Sequence, residues 1–384
     1  MAFSLGDLTQ KLSSALKTTE IGSVLGIDIG ASAAKIVQLR ASRGVAILET
    51  YGEIALAPYG KQPIGKAVKL TPERTAEALI DLMREANVTG RGGGLSIPFS
   101  SSLISILTLP KVDGEALKRM VPIEARKYIP VPVSEVALDW FVIPEDEGEK
   151  SAFDRIGQSV DQPRPKGQEV LLVAIHNATV QNYQLIAKAA GLDVQFYEIE
   201  IFSAIRSSLG RGIAPVLMVD IGASTTKMYV VERGVVHLTH LVTSGGQHMS
   251  ETLALSLGWE FEKAERVKRE RGLVASAAYS SDENQKIREA LLSTLSRVFG
   301  EINRVLLSYG QRYNKNVSHV VLTGGGASLP GLAEEAKTNL NAEVEVADPF
   351  ARTEAPAFLA DVLRQIGPSF AGSVGLALRK LKTD

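Results

Sequence analysis

A sixteen-residue segment near the start of the chain recurs in its second half. Residues 24–39 read VLGIDIGASAAKIVQL and residues 216–231 read VLMVDIGASTTKMYVV, and the two align without a gap with eight identical positions. The second copy begins 192 positions after the first, which is half of the 384-residue length. Each copy consists of an apolar run, a turn of small residues and a second apolar run, the pattern of a β-hairpin. The repeat therefore predicts two related lobes, each built on the same hairpin.

The turn of each hairpin has a composition suited to binding phosphate. Gly, Ala, Ser and Thr let backbone N–H groups approach phosphate oxygens without a bulky side chain in the way. The aspartate that ends each preceding strand, Asp28 or Asp220, can hold Mg²⁺ through waters, because magnesium sheds its hydration reluctantly. A single Asp-Ile-Gly is also an ordinary β-turn, but two matched copies facing each other predict a clasp for a triphosphate. The predicted phosphate cradle is Gly30, Ala31, Ser32 and Ala33 in the first copy, and Gly222, Ala223, Ser224, Thr225 and Thr226 in the second.

Segments further along the chain have features suited to the rest of a nucleotide. Gly324, Gly325 and Gly326 form a turn between a predicted strand and a predicted helix, where a phosphate or a flat base can approach the backbone. Glu265 and Lys268 lie one helical turn apart on one helix face, able to reach a ribose or adenine. The alternatives are a common strand-to-helix turn for the glycines and a solvated charged helix for Glu265 and Lys268. The remaining predicted nucleotide contacts are Gly245, Gly246 and Ser328.

The composition excludes several other classes of site. There is no Cys and there are only five His, so disulfides, thiolate metal sites and cysteine nucleophiles are excluded and metal hydrolysis is not favoured. The 42 basic and 43 acidic residues nearly cancel, which argues against nucleic acid as a partner. Neither a GxxxxGK[ST] loop nor a GxGxxG after a strand occurs. We also find no signal-peptide pattern and no spanning segment, so we expect a cytoplasmic protein.

The first twenty residues form a separate amphipathic extension in this interpretation. Leu5, Leu8, Leu12 and Leu16 fall on one helical stripe. The stripe predicts a helix that is docked on the body or frayed, or else an interfacial membrane anchor.

Taken in order, the two hairpins, the charged helix and the glycine turn resemble the actin-like ATPase superfamily, which includes actin, Hsp70, sugar kinases and the cell-division protein FtsA. The resemblance covers about residues 21–380 and implies an actin-like (ribonuclease H-like) α/β fold of two lobes with ATP and Mg²⁺ between them. It also implies two small-residue connecting helices, at residues 202–209 and 370–378. The residues that match the two phosphate motifs are Asp28, Gly30 and Lys35 in the first and Asp220, Gly222 and Lys227 in the second; Gly324, Gly325 and Gly326 match the adenosine motif.

A narrower resemblance lies between the two hairpins. The string IEARKYIPVPV at residues 123–133, together with LPK at residues 109–111, is similar to the inserted subdomain of the PilM family of type IV pilus assembly proteins. This resemblance implies a scaffold peripheral to the inner membrane that grips the cytoplasmic N-terminal tail of a PilN-like membrane protein. Pilus motor or platform proteins are further candidate partners, and membrane contact would be indirect or through the N-terminal helix. We choose Arg126, Tyr128 and Ile129 as the partner surface.

The family usually has Asp where this chain has Glu198, at the start of the first connecting segment. That departure leaves open which group would position a water for hydrolysis. Glu198 and Glu200 are the acidic candidates, although a structural role is the favoured interpretation for each. At most slow ATP hydrolysis is expected.

These interpretations predict a domain order and a function. The predicted units are an N-terminal extension at 1–20, lobe 1 at 21–95, an inserted α+β subdomain at 96–197 with a mobile loop at 144–168, lobe 2 at 198–367, and a C-terminal helix at 368–384 that returns to lobe 1. The predicted function is an ATP-binding pilus scaffold whose grip on its partner depends on the nucleotide. The alternatives are a sugar or small-acid kinase of the same fold, and a filament-forming protein like FtsA.

Overall fold

A computed structural model describes residues 22–143, 167–210 and 212–381. The predicted N-terminal helix and nearly all of the predicted loop at 144–168 lie outside these residues. The strands are β1 Val24–Ile29, β2 Ala33–Ser42, β3 Val45–Ala55, β4 Gly92–Ile97, β5 Ser102–Leu109, β6 Val136–Val142, β7 Gln168–His176, β8 Asp193–Ile199, β9 Val216–Ile221, β10 Thr226–Glu232, β11 Val235–Val242, β12 His319–Thr323 and β13 Glu343–Val346. The α-helices are α1 Pro72–Glu85, α2 Gly114–Ala125, α3 Asn177–Ala189, α4 Glu200–Ser208, α5 Gly246–Leu257, α6 Phe261–Arg271, α7 Ser281–Tyr313, α8 Leu332–Asn339, α9 Ala360–Ile366 and α10 Ala371–Lys380.

The two repeated hairpins start two five-stranded sheets of the same topology. The strand order is β3-β2-β1-β4-β8 in the first sheet and β11-β10-β9-β12-β13 in the second. In each sheet the first three strands pair antiparallel. The first of them also pairs with a parallel strand on its other side, and that strand pairs with a second parallel strand at the sheet edge. Even the register agrees, because Asp28 lies opposite Lys35 and Asp220 opposite Lys227. The repeat thus corresponds to two lobes with one topology, as predicted.

Helices cover both sheets, because parallel strands need crossover connections that return over a sheet face. In lobe 1, α1 and α3 bury apolar side chains against one face, and α10 packs on the other. In lobe 2, α5 to α8 cover one face and α4 packs on the other. Local signals fix the starts of two of these helices: Thr71 caps α1 ahead of a proline, and Ser280 with Glu283 forms a capping box for α7.

The two helices that connect the lobes cross closely. A Cβ on Gly375 of α10 would lie 1.8 Å from the carbonyl oxygen of Ser203 in α4, so only glycine permits this crossing. The small residues predicted for the two connecting helices therefore have a packing role.

The inserted subdomain is a three-stranded antiparallel sheet of order β5-β7-β6, with α2 packed on one face. Its predicted range of 96–197 is wrong at the C-terminal end. β8 pairs with β4 and completes the first sheet, and α3 packs in the lobe 1 core. The pairing of two strands far apart in sequence leaves no local signal, so the sequence placed this boundary too late. In the part of the chain that the structure describes, no helix combines the length and the apolarity that a membrane span requires.

Candidate functional site

The turns of the two hairpins close in the same way. The N–H of Gly30 donates to the carbonyl of Ala33 at 3.0 Å, and the N–H of Gly222 donates to the carbonyl of Thr225 at 2.9 Å. Each turn follows the strand that carries Asp28 or Asp220 at its penultimate position. Small side chains line both turns, so their backbone donors can approach a ligand.

Between the hairpins, acidic side chains surround one largely buried lysine. The Lys227 ammonium donates to Asp220 Oδ2 at 2.9 Å and to Glu200 Oε2 at 2.7 Å. Glu200, at the start of α4, also accepts the backbone N–H of Phe99 at 2.7 Å. Burial alone would lower the pKa of Lys227, but the carboxylates of Asp220 and Glu200 outweigh it and raise that pKa, so the lysine stays charged.

The electrostatics of Glu200 link the two hairpins. Burial raises the pKa of this carboxyl, the Lys227 ammonium opposes that effect, and the negative charges of Asp28 and Asp220 raise it further. Aspartates from both hairpins are thus close enough to act on one carboxyl. Asp28 and Asp220, one from each hairpin, therefore lie near the same carboxyl of α4.

Asp28 has different partners from its counterpart Asp220. Its Oδ1 accepts from the Ser96 hydroxyl at 2.5 Å, and its carboxylate lies against Gly372 in the first turn of α10. Lys35, which faces it across the hairpin, instead pairs with Glu53 at 3.5 Å. Among the described residues no lysine or arginine pairs with Asp28, so its negative charge is available to a cation.

The glycine turn after β12 lies on the second hairpin. Gly324 has φ +81°, and a Cβ there would lie 2.2 Å from Asp220 Oδ1, so this position needs glycine for conformation and for space. A side chain on Gly326 would meet Ile221. Gly325 has open space around it, and the Ser328 hydroxyl donates to the carbonyl of Gln365.

Glu265 and Lys268 are buried next to the second hairpin, so the alternative of a solvated charged helix is wrong for this pair. Lys268 Nζ donates to Glu265 Oε2 at 2.6 Å and to the carbonyl of Gly246 at 2.9 Å. The N–H of Gly246 in turn donates to the carbonyl of Gly222. Burial would raise the pKa of Glu265, but Lys268 and hydrogen bonds, including one from the Ser250 hydroxyl, lower it overall. The structure therefore joins Gly246, Glu265 and Lys268 to the second phosphate turn.

The two carboxylates proposed for positioning a water lie in different surroundings. Glu198 is clamped by both terminal nitrogens of Arg206, at 2.7 and 2.8 Å, and by Arg379 at 2.9 Å. Its oxygens are occupied by structural ion pairs. Glu200 faces the two aspartates, so only Glu200 lies where it could act on a phosphate or its water.

Sequence reasoning missed two residues at this site. Ser96, near the end of β4, donates to Asp28. Its position within a buried apolar strand gave no sign of a role in a site. Burial raises the pKa of Tyr183 in α3, and the nearby negative charges of Glu200 and Asp28 raise it further. Its place in an amphipathic helix indicated only a core position.

The donor set fits a hydrated magnesium ion better than a directly caged one. Within the described ranges, no three His, Cys, Asp or Glu side chains are arranged to hold a metal ion by themselves. Mg²⁺ commonly keeps several waters and takes the remaining ligands from phosphate oxygens. A water-mediated contact to Asp28 fits this chemistry.

The predicted partner residues lie on the inserted subdomain, on the side of α2. Arg126 is exposed and Tyr128 is 46% exposed, whereas Ile129 is buried in the subdomain core and cannot form an outer surface. On the other face of the inserted sheet is an apolar groove of about 400 Å³, which we call the sheet groove. Its apolar lining includes Phe141, Leu171 and Val173 of the inserted sheet, Phe202 of α4, and Val235 and Val236 of β11, and the charged residues Asp139 and Arg233 also line it.

The family model for type IV pilus assembly protein PilM matches residues 26–381. The chain belongs to this PilM family. Among solved structures, a PilM–PilN type IV pilus biogenesis complex aligns with a TM-score of 0.74 at 23% identity and covers 94% of this chain and 98% of that one. MreB5 of Spiroplasma citri bound to ADP aligns at 12% identity with a TM-score of 0.51 and covers 94% and 97%. Both likenesses confirm the actin-like fold.

Cell division protein FtsA of Bacillus subtilis is similar at 23% identity over 291 residues. The match covers 70% of this chain and 64% of the FtsA protein. The resemblance to the actin-like ATPase superfamily and to the PilM family is therefore confirmed.

Proposed function

We propose that this PilM-family chain binds Mg-ATP between its lobes and acts as a scaffold of type IV pilus assembly that grips the tail of a PilN-like membrane protein. One observation supports the nucleotide site above all: Asp28 of the first hairpin and Asp220 and Lys227 of the second lie around one carboxyl, that of Glu200. A Mg²⁺ ion bound there would neutralise phosphate charge.

Different residues of the chain would bind different parts of the nucleotide. Turn amides from both hairpins would donate to phosphate oxygens, and Lys227 would place a positive charge beside them. Asp28 would orient metal-bound waters, since Ser96 fixes one of its oxygens. Glu265 and Lys268, fixed by each other, would face the ribose.

Glu200 is our candidate for holding the attacking water. One of its oxygens is bound by Phe99 N–H and the other by Lys227, so it is well oriented but poorly free to act as a base. Slow hydrolysis follows from this arrangement. Positioning and electrostatics would supply most of the catalysis, as is usual for phosphoryl transfer.

For the partner tail we propose the sheet groove rather than the α2 side. β6 is an edge strand of the inserted sheet, so an extended peptide could pair with it through backbone hydrogen bonds. Phe141 of β6 is 52% exposed and offers an apolar anchor beside that edge. Through this tail the scaffold would sit at the cytoplasmic face of the inner membrane, within reach of pilus motor or platform proteins.

A peptide titration tests the proposed grip. A fluorescent N-terminal tail of the PilN-like protein from the same organism is titrated with the full chain, with and without Mg-AMPPNP. We expect Phe141→Ala to weaken binding by about tenfold, the loss of one apolar anchor. Tyr128→Ala is the matched control on the α2 side and should change binding less than about twofold. The reverse ranking would move the tail to the α2 side, and equal affinities with and without nucleotide would remove the linkage.

A further inference from the structure

Residues 61–70, between β3 and α1, form a strap that reaches from lobe 1 to lobe 2. The Lys66 ammonium pairs with Glu251 of α5 at 2.6 Å, and the N–H of Ala67 donates to Gln247 Oε1 at 2.6 Å. One residue later, the N–H of Val68 donates to the carbonyl of Ala31 at 2.9 Å. Consecutive residues of the strap therefore hold the first phosphate turn on one side and α5 of the other lobe on the opposite side.

The strap also rests directly on the charged pair next to the second hairpin. Gly65 has φ +98°, and a Cβ there would lie 2.5 Å from Cδ of Glu265. Glu265 cannot easily move away, because Ser250, Lys268 and Arg269 all donate to it. Position 65 thus needs glycine both for its backbone conformation and for its close approach to this carboxylate.

The contacts of the strap are of a reversible kind. The Lys66 side chain is 26% exposed and that of Glu251 is 40% exposed, whereas that of Lys227 is 12% exposed. The Lys66 ammonium also lies 4.4 Å from the centre of the Phe261 ring. Partly exposed ion pairs and cation–π contacts contribute modestly and can break and reform without unfolding a core.

We propose that the strap is a latch that closes the nucleotide cleft over its ribose side, and that opening of the latch limits both entry and exit of nucleotide. The inference rests on the proposed nucleotide site, since the strap touches Ala31, Glu265 and the residue after Gly246. A latch differs from a simple binding contact in its kinetics: weakening a latch raises the association and dissociation rates together.

Stopped-flow kinetics of mant-ADP on the full chain tests this. Lys66→Met removes the charge and keeps the aliphatic stem, and we expect both rates to rise about threefold, the size of a partly exposed ion pair. Exchanging the charges with Lys66→Glu and Glu251→Lys together should restore the slow rates. Gly65→Ala should raise both rates by about tenfold, because a side chain there is forced into a left-handed backbone.

Matched controls separate the latch from general loosening. Gly191→Ala introduces the same kind of strain at φ +65° into open space, and Lys118→Met breaks an exposed ion pair with Glu115. Both should keep wild-type rates. Wild-type rates in both strap variants, or faster dissociation with unchanged association, would overturn the latch while leaving the nucleotide site in place. A wild-type chain that binds no mant-ADP would overturn both the latch and the proposed function.

Discussion

The two hairpins share a backbone but differ in their charges. Both turns close with the same hydrogen bond, and both aspartates face a lysine in the same register. In lobe 2 that lysine pairs with both Asp220 and Glu200. In lobe 1 it turns away to the exposed Glu53, and Asp28 is held by the hydroxyl of Ser96 instead. One topology thus supports two kinds of site.

The strands next to the hairpins differ in the same sense. β12 is followed by three glycines, of which Gly324 and Gly326 lie against the second hairpin, whereas its counterpart β4 is followed by Pro98 and Phe99, with Phe99 in an apolar core. Of these three glycines, Gly325 has open space around it. A few unmatched residues therefore give two copies of one topology different surroundings, and under the proposed nucleotide site Asp28 of lobe 1 would face the metal and the glycine turn of lobe 2 would face the nucleoside.

The largest expected difference between the hairpins is in stability. Lys227→Met would leave two largely buried carboxylates without a cation, and we expect a loss of about 3–5 kcal/mol in the free energy of unfolding. Lys35→Met, the matched change in lobe 1, breaks a longer pair with an exposed partner and should cost about 0–1 kcal/mol. Urea denaturation of both variants measures this. Equal losses would show that the two lysines have the same role.

The second difference is in metal-dependent binding. We expect Asp28→Asn to weaken Mg-ATP binding by about 100-fold and Asp220→Asn by about tenfold, the span found when groups around a bound metal are removed. The reason is that Asp220 is already neutralised by Lys227. Isothermal titration gives both affinities. Repeating it with ATP in EDTA should abolish the difference in affinity between the two variants. If Asp220→Asn is the more damaging, the assignment of the metal side is reversed; unchanged affinity in both variants would remove the site.

A smaller effect concerns the acid limb of the stability curve. The pKa of Glu265 is lowered in the folded chain, so its charged form stabilises the fold above the unfolded value of 4.5, and this contribution is lost as pH falls below it. We expect Glu265→Gln to cost about 1–3 kcal/mol at pH 7, and the gap from wild type to shrink towards pH 4 and below.

Glu53→Gln in lobe 1 is the control, and it should stay within about 0.5 kcal/mol of wild type at pH 7 because Glu53 is exposed. Urea midpoints between pH 3.5 and 7 provide the measurement. A gap for Glu265→Gln that widens on acidification would contradict the sign of the pKa shift.

Much of the fold could be predicted from the sequence, because the sequence signals for its hairpins and helix starts are local. The two apolar runs of each repeat copy, separated by a turn of small residues, predicted both hairpins, and Thr71 before Pro72 marked the start of α1. The strands β6 and β7, on either side of the predicted loop at 144–168, pair antiparallel. The small residues of α4 and α10 indicated a close crossing, and Gly375 shows it.

The rest depended on contacts between distant segments. The choice between Glu198 and Glu200 was open in the sequence, because Arg379, which occupies Glu198, lies at the other end of the chain. Nothing in the sequence around Lys66 indicates its role, because its partner Glu251 lies 185 positions away along the chain. Ile129 belongs to a specific motif, but its side chain packs in the core of the inserted subdomain, so the motif alone does not mark a partner surface. Charge and burial at such positions are set by the assembled fold.

The central claim is that turns from both lobes hold one triphosphate, and the most direct measurement is a crystal structure of the chain with Mg-AMPPNP. The account predicts phosphate oxygens within hydrogen-bond distance of backbone N–H groups in both turns, after Ile29 and after Ile221, with the metal on the Asp28 side. A nucleotide held by one hairpin alone, or bound outside the space between the lobes, would contradict it.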